Sequence, residues 1–229
     1  MTSSFDHSGA PSPSRVVHRG DGIAWLASKL GSGSDSSRFG PEHAIVTSLP
    51  DVSEVNLDFD AWRTWFIDAA ALACSALHED GVAFFYQSDI EHDGRWIDKS
   101  HLVQLGAERA KTPLFLHQIV CRAPAGTVTR KRPAYSHLLG FSKNHRLQGR
   151  TAADVLPQLG EMTWARAMGR AACEAVCTYL LDKTATRVVV DPFCGMGTIL
   201  AAANRVGLDA IGVELSAKRA ALAERLVLV

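Results

Sequence analysis

Apolar positions along this chain follow two rhythms. Short unbroken apolar runs occur at 43–47 (His-Ala-Ile-Val-Thr), 82–86 (Val-Ala-Phe-Phe-Tyr), 188–190 (Val-Val-Val) and 209–213 (Asp-Ala-Ile-Gly-Val). Runs of this length, rich in β-branched and aromatic residues, predict strands covered on both faces. Segments 15–18, 114–121 and 135–142 add three more predicted strands. Between them the period lengthens. Phe59, Trp62, Phe66, Ala69, Ala70, Ala73 and Leu77 recur at helical spacing and predict a long amphipathic helix over 59–77. Helices are also predicted over 22–30, 99–110, 163–182 and 217–226. Strands alternating with helices imply an α/β fold with a mostly parallel sheet. Residues 1–14 are rich in Ser, Pro and Gly and lack a period, so a disordered tail is expected before a single domain spanning 15–229.

The most informative stretch is 187–203. Asp191-Pro192 ends its strand, because proline cannot donate the next ladder hydrogen bond. Gly195 and Gly197 permit a tight turn and close approach of another molecule to the backbone. From Thr198 the composition is helical, and the free amides of that helix start would face a ligand on the turn. Glu214 follows 19 residues after Gly195, at the tip of the next apolar run. An acid there is placed to accept the hydroxyls of a ribose. The unit therefore reads as a nucleoside-binding half of a Rossmann-like sheet. A dinucleotide fingerprint would carry Gly or Ala where Leu200 stands, and no Gly-x-x-x-x-Gly-Lys loop for a nucleoside triphosphate is present.

Composition changes this picture little. The 229 residues are 47% apolar and 21% charged with a net charge of zero, which is ordinary for a globular protein. The five cysteines form no Cys-x-x-Cys pair and no zinc spacing, so no metal is expected and a reducing compartment fits. No run of about 18 apolar residues and no signal peptide is seen, so a cytoplasmic protein without a membrane partner is expected.

Asp191-Pro-Phe-Cys-Gly-Met-Gly-Thr198 resembles motif I of the class I S-adenosylmethionine (AdoMet) methyltransferases, in the Asp-Pro-Phe-x-Gly-x-Gly-Thr form of the nucleic-acid amino-methyltransferases. The resemblance implies AdoMet as cofactor. It assigns the methionine part to the turn formed by Asp191, Pro192, Phe193, Cys194, Gly195, Gly197 and Thr198, and the ribose to Glu214. It also implies a circular permutation, since a strand and helix expected to follow the Glu214 unit are found instead at 15–30. The sheet order expected is 3-2-1-4-5-7-6, with 188–190 as strand 1, 15–18 as strand 3 and one antiparallel strand in the final pair. Asp21 would then accept from the adenine amine, although an Asp at a helix start is also a good N-cap. Thr163 and Trp164 would approach the methionine carboxylate; a core tryptophan is the plainer alternative.

The acceptor side departs from the family. Ser48-Leu-Pro-Asp51 stands where the family carries Asp/Asn/Ser-Pro-Pro-Tyr/Phe/Trp. Ser48 and Pro50 match, Leu49 replaces a proline, and Asp51 replaces the aromatic that would stack on the acceptor base. Asp51 could bind the acceptor or take its proton, and stacking would fall to Phe85, Tyr86 or Trp96. The segment 109–153 contains no acid and nine Lys or Arg residues. Its loop carries Arg122, Arg130, Lys131 and Arg132, which the topology brings to the active-site edge as candidate phosphate contacts. The reading is an AdoMet-dependent nucleic-acid methyltransferase. RNA is preferred, because the link at 144–158 leaves little room for a DNA target-recognition region. A DNA adenine-N6 or cytosine-N4 enzyme, a small-molecule methyltransferase and an inactive AdoMet-binding module are the alternatives. The oligomeric state stays open, with a dimer compatible.

Overall fold

The computed structural model describes residues 12–30, 39–130, 132–147, 149 and 153–228. In chain order the elements are β1 (Arg15–Arg19), α1 (Gly22–Leu30), β2 (His43–Thr47), α2 (Phe59–Ala76), β3 (Val82–Gln87), β4 (Ile90–His92), β5 (Arg95–Ile97), α3 (Lys99–Arg109), β6 (Leu114–Cys121), β7 (Tyr135–Phe141), β8 (Val155–Leu156), α4 (Arg170–Lys183), β9 (Val188–Asp191), α5 (Thr198–Arg205), β10 (Asp209–Glu214) and α6 (Ala217–Arg225). The main sheet has eight strands in the order β1-β10-β9-β2-β3-β7-β6-β8. The pairs from β1 to β3 are parallel, and β7 is antiparallel to both β3 and β6.

The apolar runs explain the layering. All six residues of β3 are buried. Neighbouring residues on one strand feed opposite cores: Val189 packs with α4 and α5, Val190 with α1 and α2. One core joins α4, α5 and α6 to the sheet; the other joins α1, α2 and α3. A strand covered on both faces has no polar side, which is why its sequence shows no alternation.

Four local expectations change. Ser14 is already anchored, its N–H donating to Asp209 Oδ1 at 2.6 Å, so the ordered chain begins within the expected tail; residues 1–11 lie outside the described residues. The helix expected over 163–182 begins only at Arg170, capped by Gly169. A Cβ on Gly169 would strike the Leu159 carbonyl, so that close approach holds 163–169 as a loop despite its helical composition. The short strand β8 extends the sheet beyond the seven strands expected. A separate hairpin, β4–β5, turns through Asp93 (φ 48°) and Gly94 (φ 69°). Both residues are left-handed, as a two-residue hairpin turn requires. Among the described residues, no helix is long and apolar enough to cross a membrane.

Candidate active site

The carboxyl ends of β9, β10, β1 and β2 surround a cavity of about 200 Å³. It lies where β9 has β10 on one side and β2 on the other, the switch point at which open α/β sheets bind ligands. The turn after β9 shapes its floor. Gly195 has φ +55°, and a Cβ there would stand 3.0 Å from Cζ2 of Trp164. The indole therefore lies over the glycine turn. Its neighbour Thr163 bonds Thr198 by their hydroxyls at 2.6 Å. On the other side a Cβ on Gly22 would run into the Pro192 carbonyl, so the β1–α1 turn also abuts this loop. Asp21, Ser48, Trp164, Asp191, Phe193 and Glu214 all line the cavity.

The two buried acids are held differently. Asp191 Oδ1 accepts from Thr47 Oγ1 at 2.6 Å and from the Phe193 N–H at 3.0 Å. Burial pushes its carboxyl up to about 7, against the opposing pull of those hydrogen bonds. Glu214 Oε1 accepts from Ser216 N–H at 2.7 Å and from Arg219 Nε and Nη2 at 3.0 and 2.7 Å. That clamp commits one carboxylate oxygen and turns the side chain toward the cavity it lines. Asp21 stands both at this cavity and at a helix start. It lines the cavity, and its Oδ1 accepts from Ala24 N–H at 2.9 Å in the first turn of α1.

The raised Asp191 sets a testable pH dependence. Its folded pKa exceeds the unfolded value of 3.8, so the folded protein binds this proton more tightly. The associated stability is complete below the unfolded pKa and is lost as pH rises through about 7. Asp191→Asn keeps an acceptor for Thr47 and Phe193 without the buried charge. In the cofactor-free protein its unfolding free energy should match wild type near pH 4 and exceed it at pH 8 by roughly 2–4 kcal/mol. Denaturant titration at both pH values checks this; parallel pH profiles would refute it.

Cys194 contributes less to a ligand than its place in the turn suggests. It lines the cavity, but its sulfur packs 2.8 Å from where Gly212 would carry a Cβ. Burial raises its thiol pKa, as it does those of Cys74 and Cys177, both pushed to about 12. None is a ready nucleophile.

Ser48, Leu49 and Arg166 also line a second cavity, which continues to Tyr86, Asp89 and Lys99. Here Asp51 differs most from expectation. Its Oδ1 is held in an ion pair by Lys99 Nζ. It also opens a turn of 3-10 helix at Val52–Glu54. The Pro50 carbonyl is occupied too, accepting from Trp62 Nε1 at 3.1 Å. The basic segment divides. Arg122 and Arg132 line the second cavity, and Arg130 is exposed. Lys131 lies outside the described residues. Arg109 and Lys143 instead pair with Asp68 and Glu79. Thr47, Lys99, Arg166 and Arg219 were not among the expected site residues. Only Thr47 had a sequence signal, a polar residue closing an apolar strand.

No curated protein matches the chain by sequence. Solved structures do match its fold. It is similar to a putative DNA modification methylase from Thermus thermophilus complexed with S-adenosyl-L-methionine, at 20% identity and a TM-score of 0.66 over 92% of each chain. It is similar to the cytosine-N4-specific PvuII DNA methyltransferase at 14% identity and a TM-score of 0.68, covering 94% of this chain and 87% of that one. The M1.HpyAVI–SAM complex matches at 14% identity and a TM-score of 0.61, over 92% and 98%. These likenesses establish the fold. Residues 180–225, which carry the glycine turn and Glu214, match the family profile described as DNA methylase.

Proposed function

We propose that this protein is an AdoMet-dependent methyltransferase that modifies an exocyclic amino nitrogen of a nucleic-acid base, with DNA as the favoured polymer. The observation that carries this is that Ser48 lines two cavities: one bounded by the glycine turn, Trp164 and Glu214, the other by Tyr86, Arg122 and Arg132. A donor and an acceptor can be held on either side of one hydroxyl.

The residues present fit the cofactor. Gly195 carries no side chain, so Trp164 packs against the glycine turn, and the turn and the indole together wall the cavity that would take the methionine part. Glu214 presents a carboxylate oriented by Arg219 to the ribose, and Asp21 stands at the end of β1 for the adenine. Bound AdoMet supplies an electrophilic methyl group on a cationic sulfonium. Ser48 positions the acceptor amine, and Trp164 with buried Leu49 excludes water. Most of the rate enhancement then comes from holding two reactants in line. Asp51 is a structural partner of Lys99 in this mechanism. The methylated amine releases its proton to solvent.

The expectation of RNA gives way to DNA. The matching profile is a DNA methylase profile, and the similar solved structures are DNA enzymes by description. The short link at 144–158 loses its force as an argument for RNA. The β6–β7 loop and the β4–β5 hairpin both contribute to the second cavity and can contact a polymer there. We read the sheet as a circular permutation, because the strand leading into Ser48 precedes the glycine strand and β1 lies beside β10.

The test is transfer of labelled methyl from AdoMet to genomic DNA and total RNA from a deletion strain, followed by nucleoside mass spectrometry. Label in N6-methyladenine or N4-methylcytosine of DNA is expected. Label in RNA alone would overturn the polymer assignment. Binding of AdoMet without transfer to either polymer would overturn the activity.

A further inference from the structure

We propose that Trp96 on the β4–β5 hairpin is a stacking platform for an unpaired nucleobase entering the second cavity. The proposal rests on the nucleic-acid reading above. Asp51, three residues after Ser48, offers no ring. Of the two other aromatic candidates, Phe85 is 0% exposed, and Tyr86, which lines the second cavity, is only 3% exposed. Trp96 is 56% exposed, an unusually open position for so large an apolar ring.

The ring is nonetheless held in place. Its Nε1 donates to Asp89 Oδ2 at 3.1 Å. Asp89, itself 2% exposed, is fixed in turn by the Lys99 N–H at 2.9 Å, the Tyr135 hydroxyl at 3.3 Å and His137 Nε2 at 3.1 Å. His117 backs His137 at 3.1 Å. Burial alone would raise the Asp89 carboxyl, but hydrogen bonds and His137 hold it below the ordinary carboxylate range. The far side of the hairpin is anchored as well, with His92 stacked on Phe59 of α2 at 4.1 Å between centroids.

An aromatic ring that is both exposed and immobilised has already lost the rotamer freedom that binding would otherwise cost. Such a ring suits a planar ligand. Asp89, to which it is tied, lines the second cavity beside Arg122 and Arg132. Cations for a phosphate backbone thus line the cavity with Asp89, and the flat face for a base is tied to that same carboxylate. Stacking on an indole tolerates any base, since every base has a π-face. Trp96 accordingly contributes affinity for an unpaired base, and base identity is read deeper in the cavity.

The test compares binding of two labelled single-stranded deoxyoligonucleotides of equal length, one bearing bases and one abasic, by fluorescence anisotropy on the full chain with S-adenosylhomocysteine present. Trp96→Ala should lose about 10-fold affinity for the base-bearing strand. Trp96→Leu, which keeps apolar bulk without a π-face, should lose as much, and Trp96→Phe should recover most of the loss. Affinity for the abasic strand should stay at the wild-type value, and calorimetric AdoMet binding should be unchanged in all three variants. Equal affinity of wild type and Trp96→Leu for the base-bearing strand would overturn the proposal. So would an equal loss on the abasic strand, which would mark a backbone contact or a surface for another protein. Failure of the wild type to bind either strand would also overturn it, while the AdoMet and methyl-transfer measurements would still judge the enzyme by themselves.

Discussion

Glu214→Ala should lose AdoMet affinity by about 100-fold or more while the fold survives. Each ribose hydroxyl donating to a carboxylate contributes roughly 1.5–3 kcal/mol, so losing both bonds costs at least two powers of ten. Glu214 is suited to that role because Ser216 N–H and Arg219 both grip one oxygen, Oε1, and fix the carboxylate at the cavity wall. Little stability is lost on truncation. Arg219 is 46% exposed and remains hydrated without its partner. Glu214→Gln should fall between, at roughly 10-fold, since an amide keeps one acceptor oxygen and loses the charge. Calorimetric titration of AdoMet into each variant measures the effect. Affinity for the alanine variant within about 3-fold of wild type would remove Glu214 from the cofactor site.

The second large effect concerns stability. Asp51→Asn should destabilise the protein by about 2–4 kcal/mol, because it leaves the Lys99 ammonium without its counter-charge. The Lys99 side chain is only 4% exposed, and its other cation contact among the described residues is the Phe66 ring, 5.6 Å from Nζ to the centroid. Asp51 is partly exposed, so water softens the cost below that of a fully buried pair. The double variant Asp51→Asn/Lys99→Met should recover much of the loss, since removing both charges removes the unpaired one. Denaturant unfolding of both variants and wild type provides the measurement. A catalytic base would behave otherwise, with stability kept and kcat lost in the single variant. That outcome would reverse the structural role assigned to Asp51.

How far the site was legible depends on the reach of each signal. Asp191, Gly195, Thr198 and Glu214 belong to one strand–turn–helix–strand unit, so their spacing in the chain already fixes their proximity in space. Asp93-Gly94 carries a hairpin signal in two residues. The flanking strands are three residues each, too short to display a period, so the element that supports Trp96 left almost no pattern. The loop over the turn misled in the opposite direction. Residues 163–169 have helical composition, yet the approach of Gly169 to Leu159 and the packing of Trp164 over Gly195 hold them open. Composition cannot register a contact with a residue brought close only by folding.

The sequence by itself determined the α/β layering, the glycine turn and the acid at the tip of the next strand. Each follows from local apolar period, backbone freedom at glycine and the fixed rise of a strand. Only the tertiary structure decided which charges remain free to act. Asp51 is paired because Lys99, 48 positions later, folds back against it. Arg219 aims Glu214, Thr47 holds Asp191, and only two of the described basic-loop arginines reach the second cavity. The physical reason is the same in each case. An ionisable group's chemistry is set by the partners and solvent that surround it, and folding draws those partners from distant parts of the chain.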